Sequence, residues 1–192
     1  MKEDVLIEIP IKEGIEVSLE KNILKVKGKN GEITKNLKYI YFQMDKIDNK
    51  IVLKNKQSNK KSKAMIYSAS ANIKNMLNGV ENPYHYELQI CTVHFPVTVS
   101  FDEKNKELVV KNFLAEKRDR KAKILDNVKV EIKGDKILLN SPDIDAVGQT
   151  AANIENITKV RNKDRRVFQD GIFIIEKAGE KTIWLKWQKN IC

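Results

Sequence analysis

The sequence predicts an α+β fold of two tandem, similar domains, each an antiparallel or mixed β-sheet packed by one α-helix. Three patterns predict this class: short apolar runs that alternate with polar residues, two longer segments whose apolar residues recur about every 3.6 positions, and the same order of elements in both halves. With 192 residues, 41% of them hydrophobic, the chain has the size and composition of a folded two-domain protein.

The first half opens with alternating apolar runs that predict an antiparallel meander. Asn30-Gly31 is the strongest short signal for a hairpin, and it separates the third strand from the fourth. The predicted strands are Val5–Ile9, Ile15–Leu19, Ile23–Lys27, Glu32–Leu37, 40–46 and 50–54.

From about residue 62 the apolar period lengthens and predicts a helix. Gly79 is predicted as its C-terminal cap, since glycine adopts the left-handed conformation that ends many helices. The apolar stripe of this helix is Ile66, Ala69, Ile73, Met76 or Leu77, and Val80.

The second half repeats four pieces of the first, at an offset of about 85 residues for the strands and about 81 for the helix. A duplicated unit of β-sheet and helix explains all four. The matched pieces are Ile9-Pro10 with Phe95-Pro96, Leu24–Lys27 with Leu108–Lys111, Asn49–Leu53 with Asp135–Leu139, and Ala71–Asn75 with Ala152–Asn156.

The second helix is predicted to start with Ser141 as its N-cap and Pro142 at its first position, with Asp143 and Asp145 in the first turn. The apolar stripe is Ile144, Val147, Ala151, Ile154 and Ile157. Turn-forming residues within Asn78–Tyr84 mark the junction, which predicts a first domain over 1–81 and a second over 82–192 with a C-terminal extension.

Few residues suit catalysis or metal binding. The only histidines are His85, between two tyrosines, and His94, which alternates with Val93 and Phe95 as in a strand. Two distant cysteines cannot supply a zinc ligand set, and Gly28–Gly31 lacks the ending of a phosphate-binding loop. We therefore expect a protein with no catalytic residues, no cofactor, no metal site and no small-molecule substrate.

The charge indicates a polyanionic partner, with nucleic acid first. The chain has 36 Lys+Arg against 26 Asp+Glu, a net charge of +10. Because no apolar run approaches the roughly 18 residues of a membrane helix, we expect an intracellular protein with no membrane partner.

All five arginines lie in the second half, within two groups that we call the first basic cluster, residues 117–123, and the second basic cluster, residues 159–166. Arginine grips phosphate bidentately, which lysine cannot do. The second basic cluster lies between a helix and the strand Ile172–Ile175, so its side chains are held with little loss of entropy. By contrast, Lys60, Lys61 and Lys63 are interpreted as a solvated face.

Two segments resemble a known family. Asp145–Ile154 resembles the helix motif of the ribosomal protein L six (L6) family, and Arg161–Ile172 looks like the signature of its eukaryotic form, called L nine. Val26-Lys27-Gly28 followed by Gly31, and Asn112–Lys117, match two further motifs. The resemblance extends to about residue 177.

The resemblance implies a structural protein of the large ribosomal subunit, located in cytoplasmic ribosomes and assembled in the nucleus or nucleolus if eukaryotic. It implies ribosomal RNA as the partner, bound mainly by the second domain near the sarcin-ricin loop and the stalk base, beside neighbouring large-subunit proteins. The RNA-facing positions that it implies are Arg161, Asn162, Lys163, Arg165, Arg166 and Gly171, followed by Lys117, Arg118, Arg120 and Lys121.

Two departures and two alternatives remain. Ala115 stands where the family usually has glycine, and Trp184 and Trp187 lie in an ending that does not follow the family, so packing, a protein contact or base stacking stay open for them.

A free RNA-binding module acting outside the ribosome is the alternative function; its stacking residues would be Tyr39, Tyr41 and Phe42. An enzyme acting on RNA is a second alternative, for which no acid-base pair is visible.

Overall fold

The computed structural model describes residues 3–20, 23–37, 42–47, 49–164 and 166–181, and its contacts separate into two units between Pro83 and Tyr84. We call the residues up to Pro83 unit 1 and those from Tyr84 onwards unit 2. Several residues for which predictions were made lie outside the described residues, namely Tyr39, Tyr41, Arg165, Trp184 and Trp187.

The described part of unit 1 consists of β1 (Glu3–Pro10), β2 (Glu16–Glu20), β3 (Ile23–Gly28), β4 (Gly31–Asn36), β5 (Gln43–Ile47), β6 (Lys50–Ser58) and α1 (Lys60–Glu81). The strands form two antiparallel three-stranded sheets, β2-β3-β4 and β1-β6-β5, instead of one meander. β1 pairs with β6 because this places the apolar faces together: Ile7 is opposite Leu53 and Ile9 is opposite Ile51.

Helix α1 begins at Lys60, where the Asn59 side chain accepts a hydrogen bond of 2.9 Å from the Ser62 backbone N–H. The whole predicted stripe is buried, including both Met76 and Leu77. The prediction of Gly79 as the cap is wrong. The helix continues to Glu81, and Asn82, in an extended conformation before Pro83, ends it without a left-handed residue.

The β3–β4 hairpin contacts the C-terminal end of α1. The Asn30 side-chain amide donates to the backbone carbonyls of Val80, at 3.2 Å, and Glu81, at 2.6 Å, which have no partner within the helix. A Cβ atom on Gly28 would lie 2.2 Å from Cγ1 of Val80, a fully buried side chain. Glycine is therefore required at position 28 by this close approach.

The described part of unit 2 consists of β7 (Tyr84–Cys91), β8 (Thr98–Asp102), β9 (Glu107–Lys111), β10 (Arg120–Lys123), β11 (Lys129–Lys133), β12 (Lys136–Ser141), α2 (Ile144–Ile157), β13 (Gly171–Lys177) and β14 (Glu180–Lys181). Its sheets are β10-β9-β8 and β11-β12-β7-β13-β14, again antiparallel. The order of the strands repeats that of unit 1, except that β13 pairs with the edge of β7 that β12 leaves free. The predicted α+β class is confirmed, with two sheets in each unit.

Helix α2 is capped by Asp143, whose carboxylate accepts from the Asp145 backbone N–H at 3.1 Å. The prediction of Ser141 as the cap and Pro142 as the first helical residue is wrong. Ser141 is the buried last residue of β12, and its hydroxyl accepts from the Asp143 N–H. Of the predicted stripe, Val147, Ala151 and Ile154 are fully buried, while Ile144 and Ile157 are partly buried at its margin.

We predict that Gly28→Ala lowers the free energy of unfolding of unit 1 by about 1–3 kcal/mol, because the added methyl group overlaps the Val80 side chain. Hydrogen exchange of the slowest unit 1 amides measures this change. In a Val80→Ala background the overlap is gone, so Gly28→Ala is expected to cost much less there. An equal cost in both backgrounds would show that the contact with Val80 is not the cause.

Candidate nucleic-acid interface

The loop that leads from α2 to β13 contains the second basic cluster, and one buried carboxylate fixes its end. Asp170 accepts hydrogen bonds from the backbone N–H groups of Val93, at 2.8 Å, and His94, at 3.0 Å. Its other oxygen lies 2.6 Å from Nδ1 of His94. Since a carboxylate only accepts, Nδ1 carries the proton and donates. The three bonds tie the loop to the segment that follows β7.

The hydrogen bonds also set the ionisation of Asp170. Burial by itself raises its pKa, but the bonds from the His94 backbone, the His94 ring and the Val93 backbone together outweigh burial and hold the pKa below its ordinary value. Asp170 is therefore ionised at neutral pH although its side chain is almost fully buried.

An aromatic stack continues from this anchor to the surface. The His94 ring stacks on Phe168, with centroids 4.8 Å apart, and the Lys163 ammonium lies 4.4 Å from the Phe168 centroid. Phe168 therefore contacts both His94 and Lys163 through its ring. The prediction that His94 lies in a strand is wrong, since β7 ends at Cys91 and His94 belongs to a bend.

The start of the same loop is fixed by a buried hydroxyl group, that of Thr158. The buried Thr158 hydroxyl donates towards the carbonyl of Glu155, at 3.2 Å, and accepts from the Ile172 N–H at 3.0 Å. Gly171, predicted to face RNA, is buried at the first position of β13. A Cβ there would lie 3.0 Å from the Phe173 ring, so glycine permits a tight approach.

The described polar residues of the second basic cluster project outwards, whereas Val160 packs against the core of unit 2. Arg161, Asn162 and Lys163 are exposed, and Asn162 has a left-handed φ of 57°, which asparagine tolerates. The Arg166 side chain is 91% exposed and pairs with Asp164 at 3.0 Å. This pair lowers the pKa of Asp164, through the Arg166 side chain first and its backbone N–H second.

The predicted residues of the first basic cluster divide into two groups. Lys117, Arg118 and Lys121 are exposed, and Lys121 pairs with Glu107 at 3.1 Å. Arg120 is only 21% exposed. Its guanidinium donates to both carboxylate oxygens of Glu116, at 2.8 and 2.5 Å.

Arg120 also joins the first basic cluster to the second. Its Nη1 donates to the carbonyl of Ile157 at 2.5 Å, near the C-terminal end of α2, and Cζ lies 4.3 Å from the centroid of the buried Phe113 ring. The hydrogen bond from Arg120 lowers the pKa of Glu116, and the charge of Lys163 adds to this lowering, both opposed by desolvation. The two basic clusters therefore lie side by side.

The turn before the first basic cluster is strained. Asn112, Leu114 and Ala115 have left-handed φ values of 59°, 51° and 60°. The turn directs Phe113 into the core, and the Asn112 side chain donates to the Pro96 carbonyl at 2.9 Å. Segments 93–96, 112–121 and 158–171 therefore converge on one part of unit 2. The alanine that departs from the family pattern adopts a conformation that favours glycine.

Sequence reasoning did not predict the residues that hold the candidate interface together, namely His94, Asp170, Phe168 and Glu116. No local sequence pattern predicts the contact between Asp170 and His94, because the two residues are 76 positions apart. Within the described ranges, no group of three or more histidine, cysteine or acidic side chains is arranged to hold a metal ion, and no helix is long and apolar enough to cross a membrane.

Comparisons with known proteins agree with this architecture. The family model described as ribosomal protein L6 matches residues 11–82 and 95–171. A protein of Sulfurisphaera tokodaii named large ribosomal subunit protein uL6 is 46% identical to this chain over 88% of it and 91% of its own length. Proteins of the same name from Desulfurococcus amylolyticus and Methanobrevibacter smithii are each 42% identical, over 90% and 88% of this chain and 93% and 94% of their own lengths.

One match in each unit defines a duplicated α+β protein of ribosomal type. The chain belongs to the ribosomal protein L6 family. This confirms the resemblance at the level of the family and the prediction of a structural, non-enzymatic protein. The reported relatives are archaeal, so the finer prediction of the eukaryotic form stays a prediction.

We predict that Ala115→Gly stabilises unit 2 by about 0.5–1 kcal/mol. Holding alanine in the left-handed conformation costs about 1–2 kcal/mol, and glycine avoids this cost. The greater conformational entropy of glycine in the unfolded chain offsets part of the gain. Urea unfolding measures the change. As the matched control, Ala152→Gly within α2 is expected to destabilise by about 1 kcal/mol. Destabilisation by both substitutions would contradict a strained Ala115.

We predict that Asp170→Ala lowers the free energy of unfolding of unit 2 by about 3 kcal/mol at neutral pH, because two backbone N–H groups and the His94 ring lose their acceptor. Asp164→Ala, which removes an exposed carboxylate paired with Arg166, is the control and is expected to cost far less.

This contribution of Asp170 also depends on pH. Because its pKa is lower in the folded chain than in the unfolded one, the stabilisation is complete above about pH 4 and is lost as the pH falls through the folded value. The difference between wild type and Asp170→Ala is therefore expected to shrink in acid. A difference that stays constant down to about pH 2 would contradict an ionised Asp170.

Proposed function

We propose that the chain is a structural component of the large ribosomal subunit and that unit 2 binds ribosomal RNA through the two adjoining basic clusters. The name that the relatives carry supports the first part. The net charge of +10 and the exposed cations on a fixed loop support the second. Such a protein resides in cytoplasmic ribosomes, with neighbouring large-subunit proteins as further partners.

The anchoring of the second basic cluster carries the proposal. Asp170 fixes one end of the loop and Thr158 the other, so Arg161, Lys163 and Arg166 are presented with little entropy left to lose. Cations in this arrangement neutralise phosphates and release counterions, and they recognise the shape of a folded RNA more than its sequence. Lys117, Arg118 and Lys121 extend the same surface, and Asn162 adds a polar contact.

Arg120 and Gly171 are assigned a positioning role in this proposal. The donors of Arg120 are engaged by Glu116 and by the end of α2, and Gly171 is buried under the loop. Arg120 therefore sets the relative place of the two basic clusters, and Gly171 allows β13 to begin close to Thr158. Arg165 is proposed as a phosphate contact on the basis of the family signature alone.

The proposed location is near the sarcin-ricin loop and the base of the stalk. The support is the resemblance of Arg161–Ile172 to the family signature. The same signature supports the eukaryotic form, for which assembly in the nucleus or nucleolus is expected.

A free RNA-binding module is the alternative function, and sedimentation distinguishes it from a large-subunit protein. A large-subunit protein moves with the subunit through a sucrose gradient after a high-salt wash, whereas a free module stays at the top.

We predict that replacing Arg161, Arg165 and Arg166 together with alanine weakens incorporation into large subunits without unfolding the protein. The described members of this set are exposed, so the loss is one of phosphate contacts, and the slope of log affinity for RNA against log salt is expected to fall by about 2 to 3. Gradient fractionation and circular dichroism measure incorporation and folding.

A control removes the same charge from unit 1, with Lys56, Lys60 and Lys61 replaced by alanine. All three lysines are exposed, and Lys60 and Lys61 belong to the face interpreted as solvated, so normal incorporation is expected. Equal loss in both triple variants would mean that net charge, and not the second basic cluster, governs binding.

A further inference from the structure

Exposed apolar side chains lie beside the second basic cluster, where the proposed function does not use them. Within the described residues, six large hydrophobic side chains are exposed, and three of them are Val93, Phe95 and Val167, at 54%, 42% and 58%. We call these three the apolar rim. The stacked rings of His94 and Phe168 are their direct neighbours in the chain, so the apolar rim lies in the same two segments as that stack.

The apolar rim is held in place without being needed for the core. The Asp170 carboxylate binds the backbone at Val93 and the backbone and ring of His94, and the Asn112 side chain binds the carbonyl of Pro96. Phe95 therefore lies in a segment that is fixed at both ends. Such a ring contributes contact area at low cost in conformational entropy, while its exposure in the free protein is unfavourable.

The surroundings of the apolar rim are cationic. Lys163 lies over Phe168, and Arg166 is almost fully exposed. The only carboxylates within residues 92–96 and 158–170 are Asp164, which is paired with Arg166, and the buried Asp170. A partner that matches this surface combines a flat apolar group with adjacent negative charge. An unpaired nucleotide of RNA has both, since its base stacks and its phosphates are anionic.

We infer that the apolar rim is a stacking site for an unpaired nucleobase, with the Phe95 ring as the stacking surface and Lys163 and Arg166 on the flanking phosphates. This inference rests on the proposed function, and it adds that the bound RNA presents a bulged or loop nucleotide at this point. The cations supply the salt-dependent affinity, and the apolar rim supplies a preference for unpaired over paired RNA.

The test compares two RNA hairpins of equal length, one fully paired and one with a single unpaired 2-aminopurine. Wild type is expected to prefer the unpaired probe and to change its fluorescence. Phe95→Leu keeps the apolar character but loses the ring, and it is expected to lower affinity for the unpaired probe about tenfold with an unchanged salt slope. Tyr67→Leu, at an exposed aromatic residue of unit 1, is the matched control and is expected to bind as wild type does.

The outcomes separate the inference from the proposed function. Equal affinity of wild type for both probes, or equal behaviour of Phe95→Leu and Tyr67→Leu, overturns the stacking site while salt-dependent binding leaves the proposed function intact. If wild type binds neither probe at low salt, the proposed function fails first. A photo-crosslinking phenylalanine analogue at Phe95 decides the partner within assembled subunits: a crosslink to RNA supports the inference, and a crosslink to protein overturns it.

Discussion

The candidate interface depends on one buried carboxylate, that of Asp170, which accepts three hydrogen bonds. It joins the segment after β7 to the loop before β13, and it positions the His94 ring against Phe168. Without that acceptor, two backbone N–H groups and the His94 ring would lose their partner, and this cost favours a single loop conformation. The exposed cations of the second basic cluster thereby acquire fixed positions although few of them contact the rest of unit 2.

The charged residues of unit 2 fall into two groups, one paired within the chain and one exposed to solvent. Asp170, Glu116 and Arg120 have their polar atoms engaged inside the chain, and Arg120 adds a link to the end of α2. Arg161 and Lys117, by contrast, project into solvent. A cation in an internal ion pair is neutralised by a carboxylate of the same chain. A cation that binds phosphate must instead be exposed with its charge available, so burial decides which of the two roles an arginine can serve.

Periodicity predicted the parts that depend on local sequence. Every residue of the predicted α1 stripe is buried, and Asn30-Gly31 does join two paired strands. The helix ends were less predictable. Ser141, expected to cap α2, is the last residue of β12, and α1 ends at an extended Asn82 instead of the expected glycine. The basic clusters could be located from composition, but the inward direction of Arg120 and the pairing of His94 with Asp170 depend on contacts between segments far apart in sequence, which no local pattern encodes.

The position of β13 in the sheet has a consequence for the order in which the chain becomes functional during its own synthesis. The described elements of unit 1 are complete once Glu81 has been made, whereas β7 gains its second neighbouring strand only with β13, which begins at Gly171. Domains generally fold as units from the N-terminus, and pairings over long sequence separations form late. A growing chain therefore carries the second basic cluster on a loop that is not yet anchored until Asp170 and β13 have been translated. In the proposed role, binding of RNA through this cluster would begin only after β13 has been translated.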